Sequence, residues 1–250
     1  ITFLMNKKGV FYSGLLDKTT DFLKENNIQY EIEDKRNPTT VKESIDLSDK
    51  LKKYNLIPRD YQERIVNCAV KNNKGIVRAC TGSGKTLCTA LITAKINKPT
   101  IIYVIGLDLL QQFHDLFSSL FDEPIGFIGN GVCKIERINI ASVWTIGRAL
   151  HINDKDLYID EDNEFKEEFN ETQEEKIVKL LGEAKVHIFD ESHIITCSTI
   201  QSIHKKIDPE HIYGFSGTPF RDDNTDLLIH GLLGEQIVDV GASELIGKNI

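Results

Sequence analysis

No apolar run in the 250-residue chain approaches the roughly 18 residues of a membrane span, and nothing at its start reads as a cleavable signal. It has no C-x-x-C pair. Its five cysteines (Cys68, Cys80, Cys88, Cys133 and Cys197) are an odd number, which argues against a disulfide framework or a zinc site and for a reducing cytoplasm. There is no internal repeat, and tryptophan occurs once, at Trp144. No P-D…(D/E)-x-K nuclease cluster is present. The chain opens on Ile1 rather than Met, so it is expected to be a piece of something longer.

The remaining composition is that of a globular protein, with 40% hydrophobic and 27% charged residues. The net charge of −8 is local. Residues 154–183 hold 12 acids against 4 bases, and the rest of the chain is neutral. A basic groove for nucleic acid is therefore compatible with an acidic total. The acidic stretch 152–170 lacks Pro and Gly and reads as a solvated insertion between elements.

The first fifty residues read as a small α+β unit. Ile1–Met5 and Val10–Tyr12 suit a short hairpin, and a helix follows to about Asn26 with Leu16, Thr19, Phe22 and Leu23 on one face. Ile28–Glu33 alternates as a strand. Residues 37–40 look like a linker, and Leu51–Ile57 leads into the main domain, expected over 51–245. From Pro58 onward, helical patterns fall near 60–72, 84–97, 107–121, 142–150, 171–182, 198–206 and 224–233. Strand patterns fall near 75–80, 100–105, 125–129, 137–141, 185–190, 211–215 and 236–240. That alternation predicts an α/β fold, a parallel sheet with helices on both faces.

Two motifs carry chemistry. Thr81-Gly82-Ser83-Gly84-Lys85-Thr86 follows an apolar run and opens a helical stretch. Glycines at 82 and 84 let successive N–H groups turn inward on a phosphate, and the helix N-terminus adds partial positive charge. Lys85 suits the β- and γ-phosphates, and the Thr86 hydroxyl suits Mg²⁺. The strict pattern has Gly where Ala79 stands. About a hundred residues on, the apolar run Val186–Phe189 ends in Asp190-Glu191-Ser192-His193. Two acids at the end of a buried strand serve stability poorly. Asp190 suits Mg²⁺, Glu191 suits a base that activates water, and His193 suits a relay of the nucleotide state to a neighbouring loop. Together the two motifs are the minimum machinery for using a nucleoside triphosphate.

Arg59-Asp60-Tyr61-Gln62 lies upstream of the loop, and Phe215-Ser216-Gly217-Thr218-Pro219-Phe220-Arg221 lies downstream of the acidic strand. In that order the four motifs resemble the first RecA-like motor lobe of superfamily 2 DExH helicases and translocases. The resemblance implies that Gln62, with Arg59, reads the adenine edge, making ATP the nucleotide with Mg²⁺ as its ion. It implies that Ser216 and Thr218 couple the nucleotide site to a nucleic-acid groove. Gly106 and Gln112 fall where the family has a Pro-Thr-x-x-Leu-x-x-Gln loop on the nucleic-acid backbone, although Ile105-Gly106 replace Pro-Thr. Ser142 and Trp144 fall where it has Thr-x-Gln, with Arg148 one helical turn beyond. Trp144 suits packing as well as contact with a base or sugar.

The stretches Phe11–Leu16 and Lys24–Ile32 are similar to the small N-terminal domain of phage UvsW-type helicases, which branch-migrate DNA junctions. The resemblance implies an ATP-dependent DNA helicase or translocase at branched or forked DNA, in the cytoplasm of an infected bacterial host. It also implies a second RecA-like lobe absent from this chain. The alternatives are the motor portion of a restriction enzyme, an RNA remodeller, and a nucleic-acid-binding module with a regulatory ATP site.

Overall fold

The computed structural model describes residues 9–34, 43–152, 171–192, 197–217, 226–241 and 244. A 3-10 turn at Ser13–Leu15 precedes α1 (Leu16–Glu25), α2 (Ser48–Lys53), α3 (Asp60–Asn72), β1 (Lys74–Ala79), α4 (Lys85–Ile96), β2 (Thr100–Val104) and α5 (Leu107–Leu120). Then come β3 (Ile125–Gly129), β4 (Val132–Lys134), β5 (Ile138–Ser142), α6 (Val143–Ala149), α7 (Glu171–Glu183) and β6 (Val186–Phe189). The described chain closes with α8 (Cys197–His204), β7 (His211–Ser216), α9 (Asp226–Leu233) and β8 (Gln236–Val240). No described helix is long and apolar enough to cross a membrane.

The strands form one sheet in the order β4-β3-β5-β2-β6-β7-β1-β8. Every pairing is parallel except that of β3 with β4, an antiparallel edge. β2, β5, β6 and β7 are buried at every position, as strands covered on both faces must be. Successive side chains split between two cores. Val77, Ile102, Val104, Ile188 and Phe215 face the layer of α3, α4 and α5. Ile76, Ile101, Tyr103, Phe189 and Ile212 face the layer of α6, α7, α8 and α9. Parallel pairing brings the carboxyl ends of β1, β2, β5, β6 and β7 to one rim, where ligand sites of open α/β sheets form.

Asparagine closes four helices. Asn27, Asn55, Asn73 and Asn97 follow α1, α2, α3 and α4 with φ between 49° and 57°, the left-handed conformation that ends a helix and that Asn tolerates. The Asn97 N–H returns to Thr93 O at 2.9 Å.

The sequence-based reading needs correction at the front. Ile28–Glu33 forms no strand. Residues 28–34 are exposed and enter no ladder among the described residues, so alternation there has no sheet face to fill. On α1, Phe22 is exposed and Thr20 buried, on the side that Leu15 of the preceding 3-10 turn also buries. α2 and β4 were not anticipated. The first strand of the expected hairpin, the linker at 37–40 and most of the acidic insertion lie outside the described residues. The front segment leans on α8, α9 and the residue before β8: the Tyr12 ring meets His204 edge-on at 5.6 Å, Gly14 comes against the His230 and Gly231 carbonyls, and Lys18 pairs with Glu235 at 3.0 Å.

Candidate functional site

The phosphate-loop sequence begins where β1 leaves the sheet. Ala79 is still a strand residue, fully buried and in register with Val240, so the glycine of the strict pattern is not required there. Gly82 and Gly84 have φ of 81° and 75°, which a side chain would strain. At Gly84 space is short as well, because a Cβ would lie 2.4 Å from Gln62 Nε2. Ser83 N donates to Cys80 O at 3.2 Å and closes the turn. α4 then runs into the core with Cys88, Thr89, Ala90, Ile92, Thr93 and Ala94 buried. The loop is therefore rooted in the sheet at one end and in a buried helix at the other. Burial pushes the Cys88 thiol up to about 12, so it is inert at neutral pH.

The acidic pair sits opposite. Asp190 N donates to Tyr103 O at 2.9 Å, and Ser192 N donates to Phe215 O at 2.8 Å. With its neighbours tied to β2 and β7, Glu191 is left in the left-handed region at φ 46°, a conformation costing a non-glycine residue on the order of 1 kcal/mol. Its carboxylate forms a salt bridge with Lys85 Nζ. Asp190 is 5% exposed, and its Oδ1 has no hydrogen-bond partner. Burial first, and the Glu191 charge second, push its carboxyl up to about 6 against the opposing pull of Lys85. A buried, unpartnered carboxylate oxygen beside a cation-bearing loop is costly without a ligand, and fits a divalent ion.

The Arg59–Gln62 motif packs on the loop from the other side. Gln62 is 4% exposed; its Oε1 accepts from Arg59 N at 2.9 Å, and its Nε2 donates to Ser83 O at 2.9 Å. Tyr61, which sequence reasoning gave no role, donates its hydroxyl to the same Ser83 oxygen at 3.1 Å. Its place between Arg59 and Gln62 was the available signal. Ser216 ends β7 fully buried, in register with Arg78 of β1, and Gly217 comes against Ala79 and Cys80 at the root of the loop. The structure thus gathers Arg59, Gln62, Gly82, Ser83, Gly84, Lys85, Asp190, Glu191 and Ser216 about one rim. Thr81 is exposed on the loop and Thr86 half-buried in the first turn of α4. His193 and Thr218 lie outside the described residues.

The expected nucleic-acid residues lie along the same rim. Gly106, at φ 87°, precedes α5, and Gln112 is exposed on it. Ser142 does not present a free hydroxyl: it is 4% exposed and accepts from Thr145 N at 3.5 Å, at the start of α6. Trp144 is half-buried against the second core, and Arg148 half-buried one turn on.

The chain is similar to putative helicase 22 of Sulfolobus islandicus filamentous virus, 25% identical over 197 residues that cover 75% of this chain and 33% of that protein. It is similar to the DNA 3'-5' translocase XPB2 of Sulfurisphaera tokodaii, 24% identical over 192 residues that cover 77% of this chain and 38% of that protein. The chain thus spans about a third to two fifths of the length of these curated relatives. Among solved structures, the UvsW helicase from bacteriophage T4 superposes with a TM-score of 0.68 at 18% identity, over 95% of this chain and 82% of that one; at that identity the match speaks for the fold. Residues 55–221 match the family model of the type III restriction enzyme res subunit, and the chain belongs to that family.

Proposed function

We propose that the chain is the nucleotide-binding motor lobe of an ATP-dependent DNA helicase or translocase, acting on branched or forked DNA. The observation that carries the reading is the meeting of Lys85 with Glu191 beside the buried, unpartnered Oδ1 of Asp190. The family match and relatives named as a helicase and a DNA translocase support it. The resemblance of Phe11–Leu16 and Lys24–Ile32 to the N-terminal domain of phage UvsW-type helicases is the ground for favouring a junction helicase over the motor of a restriction enzyme, to which the family's description points.

The residues present fit a magnesium-bound triphosphate. The Gly82–Thr86 backbone and Lys85 would hold its phosphates, and Thr86 and Asp190 its ion. Bound there, magnesium would supply charge neutralisation on the phosphates. Glu191 is the base: its carboxylate accepts the proton of the attacking water. Because Lys85 contacts the same carboxylate, whatever draws Lys85 towards a phosphate loosens Glu191 for that proton. Arg59 and Gln62 would read the base edge. Ser216, joined to the loop root through Gly217, would pass the change at the phosphates to Thr218 and His193. Gly106, Gln112, Trp144 and Arg148 would line the strand that is moved, with main-chain N–H groups near Gly106 on its phosphates. Ser142 would act through the α6 terminus it caps. We propose that a second lobe in the whole protein completes the site with arginines that neutralise transition-state charge.

Steady-state ATPase of the whole protein, measured without nucleic acid and with single-stranded, forked and four-way DNA and RNA, tests this. Stimulation greatest on branched DNA is expected. Stimulation by RNA alone would remove the DNA assignment, and none at all would leave a binding module with a regulatory site.

A further inference from the structure

Ser83 meets α3 through its carbonyl. That oxygen is buried and accepts two hydrogen bonds, from the Tyr61 hydroxyl at 3.1 Å and from Gln62 Nε2 at 2.9 Å. Tyr61 is 1% exposed, and its hydroxyl accepts from Arg59 Nη1 at 3.0 Å. A buried carbonyl with two donors is held more firmly than its own solvation needs, since one partner already satisfies it.

The consequence falls on the next residue. In a planar trans peptide the C=O and the following N–H point in opposite directions, and no described peptide bond is cis. Holding Ser83 O against α3 aims the Gly84 N–H away from α3, towards the side of the loop that α3 leaves open. The backbone alone does not enforce this. The Ser83–Gly84 peptide turns about Ser83 ψ and Gly84 φ, and Gly84, a glycine at φ 75°, puts little steric limit on its own φ, so that peptide is free to rotate unless it is pinned.

We infer that Tyr61 is a positioning residue for the phosphate loop: its hydroxyl shares the Ser83 carbonyl with Gln62 and so keeps the Gly84 N–H presented to a triphosphate. The inference rests on the nucleotide site proposed above. Gln62 is also the amide proposed for the base, so Tyr61 is the holder that leaves Gln62 free to turn. What Tyr61 serves is the phosphates, and its effect is independent of the base.

The test is displacement of a fluorescent ATP analogue from the chain in Mg²⁺ buffer by ATP and by inorganic tripolyphosphate, for wild type, Tyr61→Phe, Gln62→Ala and the double variant. Tyr61→Phe keeps the buried ring, and a thermal melt confirms each fold. The loss of one of two shared hydrogen bonds weakens both ligands by the same factor, roughly three- to tenfold. Gln62→Ala weakens ATP more than tripolyphosphate. The double variant loses more tripolyphosphate affinity than the product of the single losses, because only then is the carbonyl left without a donor. Unchanged affinities in Tyr61→Phe, or a loss for ATP alone, would overturn the role. A wild-type chain that binds neither competitor would overturn the nucleotide site and this role with it.

Discussion

Lys85 and Glu191, 106 residues apart in the chain, form a salt bridge with side chains only 10% and 21% exposed. The cation proposed for the phosphates and the base proposed for the water therefore restrain each other. Replacing Glu191 by Gln removes the proposed base and releases Lys85 at once. Hydrolysis should fall ~10²–10⁴-fold, the range for a lost general base, while ATP binding stays as tight or tightens. Nucleotide titration and single-turnover hydrolysis on the whole protein check both halves. A parallel loss of binding would mean that Glu191 is structural.

Asp190 gives the site a pH dependence of defined sign. Its carboxyl is raised from 3.8 to about 6 by burial and by Glu191. The folded chain therefore holds this proton more tightly than the unfolded chain does. The stabilisation is complete below about 3.8 and is lost as pH rises through about 6, on the order of 2–3 kcal/mol in all. Asp190→Asn should remove this component. The difference in denaturant stability between variant and wild type should grow in the variant's favour from pH 4 to 7. A flat difference across that range would place the Asp190 carboxyl near its ordinary value.

The regular part of this fold was legible because the local signals agree with the tertiary one. β3 and β8 fall on the residues their apolar runs marked, and α3 runs from Asp60 to Asn72 as its periodicity predicted. Phosphate loop and acidic pair were legible for the same reason, each lying at the carboxyl end of a buried strand. The front segment was not. Ile28, Tyr30 and Ile32 alternate, yet they are 48%, 39% and 55% exposed, since alternation records only a tendency that a sheet must then use. Ser142, expected at the nucleic-acid groove by position, is 4% exposed and caps α6. Neither the Tyr61–Ser83 contact nor the orphaned oxygen of Asp190 leaves a periodic mark in sequence.

Gly14 is the point at which the front segment docks. A Cβ there would lie 2.1 Å from His230 O and 2.6 Å from Gly231 O, both main-chain atoms that cannot step aside. The surrounding contacts, Lys74 Nζ to Ser13 Oγ at 3.1 Å and Lys18 to Glu235, lie at the amino ends of β1 and β8, the rim opposite the phosphate loop. Gly14→Ala should release the segment at a cost of ~1–3 kcal/mol and raise the rate of proteolytic cleavage within residues 12–34. ATP affinity should not change. A drop in affinity together with the docking would tie the segment to the nucleotide site across the sheet.

Trp144 separates packing from contact with a strand. It lies in the first turn of α6, at the nucleotide rim, but much of its ring is spent on the second core. Trp144→Ala removes that packing and should destabilise the chain by on the order of 2–4 kcal/mol, slightly less than for a fully buried ring. Trp144→Phe restores an aromatic face at smaller volume and should recover most of the loss. As the sole tryptophan, Trp144 also reports its own surroundings. If the exposed part of the ring stacks on a base, single-stranded DNA should quench its emission, and Trp144→Phe should weaken DNA binding less than Trp144→Ala. Stability effects without quenching would leave Gly106, Gln112 and Arg148 to carry the strand and confine Trp144 to the core.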